Sequence, residues 1–320
     1  MKIVVLVDNN TYINEYYYGE PAVSYYIEDG ELRMLFDVGY SDIFMQNANK
    51  MHIDLDSVNK VIISHGHNDH TGGLKHFLSQ KRPIELIAHP DSFNYKIDEG
   101  QSPIGAPLSE AEIAQKSKLT LSKSPIWLND KIVFLGEIPL SNDFELRYTI
   151  GKVYFDASDL NDLDDSDDED IDAESASRYS YNYKLRKTRI YDKRDMYTYA
   201  PAGPRFVNGK MIDDEVKEDS AIVYRGEDGL FIVTGCSHSG ICNIIEYAKQ
   251  VCNDDRVYGV LGGFHLLEND HRLHRTIEYL ERNQIPLLYP CHCVSLESKV
   301  EMAKHMSIRE VGVGMTLEIL

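Results

Sequence analysis

The residues best suited to chemistry in this 320-residue chain lie together in Val61-Ile62-Ile63-Ser64-His65-Gly66-His67-Asn68-Asp69-His70-Thr71-Gly72-Gly73-Leu74. Four metal-ligand types, His65, His67, Asp69 and His70, fall within six residues, directly after an apolar run and directly before a helical pattern. In an extended segment side chains two apart point the same way, so His65 and His67 can grip one ion. The chain then turns into the helix, and Asp69 and His70 leave in a different direction, within reach of a second ion. Gly66, Gly72 and Gly73 supply the backbone freedom of so tight a loop. Imidazole and carboxylate together suit zinc, manganese or iron rather than calcium. A histidine-rich surface loop would not require strand, ligand cluster, glycines and helix in this working order.

His265, in Gly262-Gly263-Phe264-His265-Leu266 after a strong strand, has the chemistry to ligate, to donate a proton, to bind a substrate anion, or simply to pack. His52, His76, His89, His271, His274 and His305 have no partner spacing and read as surface or packing residues. The five cysteines, Cys236, Cys242, Cys252, Cys291 and Cys293, all lie in the last third, which is unlike a secreted disulfide framework. Cys291-x-Cys293 lacks the second pair of a zinc ribbon. The chain has no Gly-x-Gly-x-x-Gly and no phosphate-loop motif, so nucleotide-fold classes are excluded.

The elements that must hold these residues alternate between strand and helix. Leu32–Asp37, Lys60–Ser64, Ile84–Ala88, Gly229–Thr234, Arg256–Leu261 and Pro286–Pro290 read as core strands. Met1–Asp8 also reads as a short core strand, because no small-residue cleavage site follows its brief apolar stretch. Helices are expected from Leu74, over Ser109–Ser117 with Ser109 as cap and Glu112 three residues on, and over Ile241–Val251 and His271–Arg282. Strands in both halves with helices between them predict an α/β sandwich, two facing sheets with helices outside.

Charge is spread unevenly. Lys and Arg number 33 and Asp and Glu 52, a net charge of −19 that argues against nucleic acid and membrane surfaces as partners. Between Asp156 and Glu174 stand eleven acids and no Lys or Arg, a composition that reads as a solvated insertion. A calcium loop would need a glycine, and this run has none. Arg178–Arg194 then interleaves tyrosines with basic residues. Either it folds back on the acidic run, or it forms a lid in which Arg186, Arg189 and Tyr191 hold an anionic, ring-containing substrate. No apolar run reaches the roughly 18 residues of a spanning helix, and a cytoplasmic enzyme is expected.

His65-x-His67-x-Asp69-His70 resembles the signature of the metallo-β-lactamase fold superfamily, and Leu35-Phe36-Asp37-Val38-Gly39 resembles its first motif, whose Asp supports the ligand loop. Leu6-Val7-Asp8-Asn9, Asn47-Ala48, Thr234-Gly235-Cys236-Ser237-His238-Ser239-Gly240-Ile241, Gly262-Gly263-Phe264-His265-Leu266 and Pro290-Cys291-His292-Cys293 are similar to one branch. Its members are named metal-dependent hydrolases or 7,8-dihydropterin-6-yl-methyl-4-(β-D-ribofuranosyl)aminobenzene 5′-phosphate synthases. The motifs span nearly the whole chain apart from the insertion.

The resemblance implies a single αββα domain over residues 1–320 with a flap at about 156–205. It implies one or two divalent transition metals (zinc, or else manganese or iron) at the mouth between the sheets. Asp37 would accept a ring N–H from a metal-bound His, and His292 would be the last ligand. The superfamily's midway His is missing, with Gly136-Glu137-Ile138-Pro139 in its place, and its Gly-Asp pair reads Gly235-Cys236. His238 would then supply the absent imidazole, while Cys236 would replace the bridging carboxylate or sit in the core. His65, His67 and His238 would hold one ion, and Asp69, His70 and His292 the other. Asp69 and His265 are the candidates for catalysis.

Val294-Ser295 and Glu20-Pro21-Ala22-Val23-Ser24 depart from the branch's Thr-Gly and Glu-His-Gly-Leu-Ser, which bears on the substrate more than on the metal. The expected activity is hydrolysis of a small anionic, phosphate-containing molecule by metal-activated water. A pterin-type synthase is the alternative, in which the metals hold a pyrophosphate leaving group. A metal-binding sensor without catalysis is the third reading.

Overall fold

A computed structural model describes residues 1–79, 84–156 and 209–320. Its layers follow from side-chain alternation. In Lys2–Val7 (β1), Ile3 and Val5 join one apolar cluster and Val4 and Leu6 another, so both faces of the strand are covered.

The first large sheet takes in β1, Ser24–Asp29 (β2), Leu32–Phe36 (β3), Lys60–Ile62 (β4), Glu85–Ala88 (β5), Lys118–Leu121 (β7) and Thr316–Glu318 (β16), in the order β16-β1-β2-β3-β4-β5-β7. Lys96–Asp98 (β6) pairs instead with Gly151–Val153, at the start of Gly151–Asp156 (β10). The second large sheet contains Ile126–Trp127 (β8), Ile132–Phe134 (β9), Ala221–Arg225 (β12), Leu230–Thr234 (β13), Val257–Gly262 (β14) and Leu287–Pro290 (β15), in the order β15-β14-β13-β12-β9-β8. Gly209–Asp214 (β11) precedes β12 in the chain, and Ile150 donates to the Asp214 carbonyl at 2.9 Å.

Between the sheets, Ile3, Val5, Phe36 and Ile62 pack with Phe134, Ile222, Phe231 and Leu261. Outside the first sheet lie Ile43–Lys50 (α1), Asn68–Thr71 (α2), Leu74–Phe77 (α3) and Glu110–Ala114 (α4); their Phe44, Ala48, Leu74, Phe77 and Ile113 cover Leu6, Leu35, Val61 and Leu86. Outside the second lie Ile241–Cys252 (α5), His271–Asn283 (α6) and Leu296–His305 (α7), whose Ile244, Ile245, Ile277 and Met302 cover Val133, Val223, Ile232 and Val260. The result is the four-layer αββα sandwich.

Where elements differ from the sequence reading, hydrogen bonding explains it. β4 stops at Ile62 instead of Ser64 because the Ser64 N–H is taken at 2.8 Å by Asp37 Oδ1. Ser109 and Glu112 form the reciprocal cap of α4, but that helix closes early, and Lys118 begins β7 opposite Glu85. The helix expected from Leu74 is a single turn, preceded by another turn, α2, inside the ligand loop.

β3, β4, β5 and β7 run parallel, as do β13, β14 and β15. Their ends are level: Phe36 pairs with Ile62, Thr234 with Gly262, and Gly262 with Pro290. The loops leaving these carboxyl ends carry the site, which is where open α/β sheets place their ligands.

The chain divides into two compact units, Met1–Val153 with Asp213–Leu320, and Tyr154–Ile212. In the second unit the described residues are 154–156 and 209–212, in β10 and β11. Arg186, Arg189 and Tyr191, and the expected insertion apart from Asp156, lie outside the described residues. Among the described residues no helix is long and apolar enough to cross a membrane.

Candidate metal centre

Asp37 follows the last residue of β3 in the left-handed region, φ 56°, and is fully buried. Its Oδ1 accepts the Ser64 N–H, while Oδ2 accepts the Ser64 hydroxyl at 2.7 Å and Nδ1–H of His70 at 2.6 Å. A carboxylate only accepts, so the His70 proton is fixed on Nδ1 and the lone pair on Nε2. That nitrogen faces Cys236 Sγ at 3.2 Å and Asp69 Oδ2 at 3.6 Å.

His292 reaches the same place from the end of β15, also left-handed at φ 50°. Its backbone N–H donates to Asp8 Oδ2 at 3.0 Å and its Nδ1 pairs with Asn9 Oδ1 at 3.1 Å, which turns Nε2 toward Asp69 Oδ2 at 3.3 Å. Asp69, His70, Cys236 and His292 thus form one cluster, with ligand atoms within 4.8 Å of one another.

His65, His67 and His238 form a second cluster within the same limit. Nε2 of His65 stands 3.1 Å from Nδ1 of His67, and its Nδ1 meets Ser64 Oγ at 3.0 Å. His238 comes from the loop after β13. Ser237 there donates its hydroxyl to the Gly263 carbonyl at 2.6 Å, and the Ser239 N–H donates to Asp219 Oδ2 at 2.9 Å. The His238 ring centroid is 4.7 Å from that of His65 and 5.1 Å from that of His67.

Gly235 lets the two halves of the site approach. A Cβ there would lie 2.2 Å from Ser64 Oγ and 2.9 Å from Asp37 Oδ2. The sulfur of Cys236 stands at the first cluster rather than in an apolar core.

The donors fit a divalent metal. Both ring nitrogens of His238 are buried without a hydrogen-bond partner, a costly arrangement unless a cation takes the lone pair. Burial, then the neighbouring imidazoles, push His65 and His238 well below the usual histidine range, into the neutral form that ligates. Burial opposes ionisation of Asp69, yet His70 and His292 hold its carboxyl well below the carboxylate range. The same charges act in reverse: against burial, Asp69 raises His292 to about 9, and Asp69 and Asp37 raise His70. Burial pushes the Cys236 thiol up.

His265 belongs to neither cluster. Left-handed at φ 48°, it sets its ring 4.4 Å from that of His238, with Nδ1 hydrogen-bonded to the Tyr148 hydroxyl. Burial, then the Arg272 charge, lower it to about 3, so it is neutral at physiological pH.

Several supporting residues were missed from sequence. Lys96, Asp214 and Glu218 form a buried ion triad behind His67: Lys96 Nζ lies 2.8 Å from Asp214 Oδ1 and 2.7 Å from Glu218 Oε1. Asp214 Oδ2 is 3.5 Å from Nε2 of His67, and Glu218 accepts the Gly66 N–H at 3.3 Å. Glu145 accepts the Cys242 and Asn243 N–H groups at 3.0 and 2.9 Å, a carboxylate at the start of α5, which opens on Gly240 with no side-chain cap of its own. Asp8 and Asn9 did carry a signal, the Leu6-Val7-Asp8-Asn9 motif, but not their role toward His292.

The chain belongs to the metallo-beta-lactamase superfamily, whose model matches residues 17–249. Fold and site together define an enzyme of that superfamily. Among curated proteins it is similar to an uncharacterized protein of Methanocaldococcus jannaschii, 25% identical over 305 residues and covering 94% of each chain. It is also similar to that organism's 7,8-dihydropterin-6-methyl-4-(beta-D-ribofuranosyl)-aminobenzene-5′-phosphate synthase, 26% identical over 313 residues, 93% of this chain and 89% of the relative. Among solved structures it resembles a metal-dependent hydrolase of the beta-lactamase superfamily, with a TM-score of 0.71, 23% identity, and coverage of 99% of this chain and 98% of that one.

Proposed function

We propose that the protein is a metal-dependent hydrolase with a two-metal centre, acting on a small anionic ester, phosphodiester or lactone. The observation that carries this reading is the pair of adjacent donor clusters, His65/His67/His238 and Asp69/His70/Cys236/His292, at the carboxyl ends of both sheets. Zinc suits these donors, with manganese and iron as the other candidates. When bound, such ions lower the pKa of a water and polarise the oxygen where charge develops.

The chain's own residues do the rest. Asp37 and Asn9 orient His70 and His292. Asp69, held ionised between His70 and His292 and with 28% of its side chain reaching solvent, can accept a hydrogen bond from a water and orient it. Neutral His265, backed by Tyr148, can hold a proton beside the reacting group.

The test is turnover of a panel of phosphate esters, phosphodiesters and lactones by protein purified without chelators. Activity that disappears with a chelator, returns with zinc, manganese or iron, and is absent from His67→Ala supports the reading. Turnover indifferent to chelation, or no turnover by metal-loaded protein, overturns it.

A synthase reading has one observation in its favour, the 26% identity to the protein named for that product along nearly the whole chain. Formation of that product by this protein, without hydrolysis of the panel, would select it.

A further inference from the structure

Next to the histidine clusters lies a buried cation without a counter-charge. Arg272, the second residue of α6, is 8% exposed, and its Nε and Nη2 are buried with no hydrogen-bond partner. Among the described residues it forms no ion pair. Nε–H and Nη2–H are the two donors along one edge of the guanidinium, the edge that grips two oxygens of a phosphate or carboxylate side by side. Lys96, the other buried cation near the site, is already neutralised by Asp214 and Glu218.

The position of Arg272 gives that unused edge a purpose. Its guanidinium carbon lies 5.6 Å from the Tyr148 ring centroid, Tyr148 is hydrogen-bonded to His265, and the His265 ring is 4.4 Å from that of His238. The cation therefore stands one side chain behind the residues that flank the three-histidine cluster. An unpaired buried charge is destabilising, so a fold that keeps one here favours an anion in its place. A chain of net charge −19 also needs local positive charge to admit an anionic substrate.

We propose that Arg272, with Tyr148 and His265 beside it, binds an oxyanionic group of the substrate, a phosphate or a carboxylate, adjacent to the metal clusters. Calling this ligand a group of the substrate rests on the hydrolase reading above; the anion site does not.

The test compares wild type with Arg272→Met and Arg272→Lys. Inorganic phosphate and acetate are titrated into each purified protein by calorimetry, with thermal unfolding and metal content measured on the same samples. Methionine keeps the apolar stem and removes the charge. Phosphate or acetate should bind wild type at least about 30-fold tighter than Arg272→Met, the loss expected when one partner of a buried charge pair is truncated. Arg272→Lys should recover only part of it, because a point charge cannot use two parallel donors. In anion-free buffer Arg272→Met should unfold at a higher temperature than wild type, and added anion should raise only the wild-type midpoint.

A stronger effect of phosphate identifies a phosphate group, and an equal or stronger effect of acetate a carboxylate. Equal anion affinity in wild type and Arg272→Met at equal metal content overturns the proposal and leaves the hydrolase reading standing. Arg272-dependent anion binding by protein that holds no metal supports the anion site and removes the metal reading instead.

Discussion

The Asp37 carboxylate accepts three hydrogen bonds and can donate none, which makes Asp37→Asn a sharp perturbation of nearly unchanged volume. The Ser64 N–H cannot reverse its polarity, so the amide oxygen must take the place of Oδ1 and the NH2 that of Oδ2. The Ser64 hydroxyl can rotate and accept, but His70 Nδ1 can accept only by moving its proton to Nε2. That proton would point at Cys236 and Asp69, where the lone pair must be if His70 is to ligate. Loss of such an orienting carboxylate costs about 10–100-fold in metal affinity, or about 1.4–2.7 kcal/mol. No side chain of the His65/His67/His238 cluster is hydrogen-bonded to Asp37 itself, the nearest link being Ser64 against His65, so the loss should fall mainly on one of two ions. Folding stability should drop by about 1–3 kcal/mol, the cost of one badly satisfied buried group. Metal-free protein titrated with zinc against a chromophoric chelator would show one affinity unchanged and the other lowered. Two affinities within twofold of wild type would mean that Asp37 does not orient His70 for a metal, and equal weakening of both would mean that it does not serve one ion alone.

Gly235→Ala should destabilise by about 1–3 kcal/mol and lower metal content, because its Cβ would lie 2.2 Å from Ser64 Oγ; an unchanged denaturation midpoint would contradict this. His265→Gln should reduce kcat by about 10²–10⁴ with metal content unchanged, checked by steady-state kinetics beside elemental analysis. Hydrogen bonds from Lys118 and Lys60 hold Glu85 down at about 2, below its ordinary 4.5, so its contribution to stability is present above pH 4.5 and lost as pH falls through about 2. Lys118 is exposed and Glu85 and Lys60 are only partly buried, so Glu85→Gln should cost only about 0.5 kcal/mol at pH 7, a difference that closes near pH 2 in denaturant titrations.

The ligand loop was legible because its chemistry is local: His65, His67, Asp69 and His70 sit within six residues between a strand and a turn of helix. The layers were legible for the same reason, since the brief apolar run of β1 and the helical patterns of α5 and α6 are short-range signals. His238, His265 and His292 were legible as strand-end residues, and level strand ends bring their loops together. What stayed hidden depends on long-range pairing. Lys96 meets Asp214 and Glu218 across more than a hundred residues, and nothing near any of the three marks it as a partner. Glu145 reads as an ordinary acid until α5 presents its N-terminal amides to it. Arg272 reads as one charge among several on a helix, and only packing reveals that its donors are buried and unused.

Elemental analysis of protein purified without chelators, wild type and His67→Ala side by side, decides whether the site is a two-metal centre. Wild type should carry about two transition-metal ions per chain and His67→Ala about one. Wild type that is metal-free and takes up no added zinc, manganese or iron would contradict a two-metal centre.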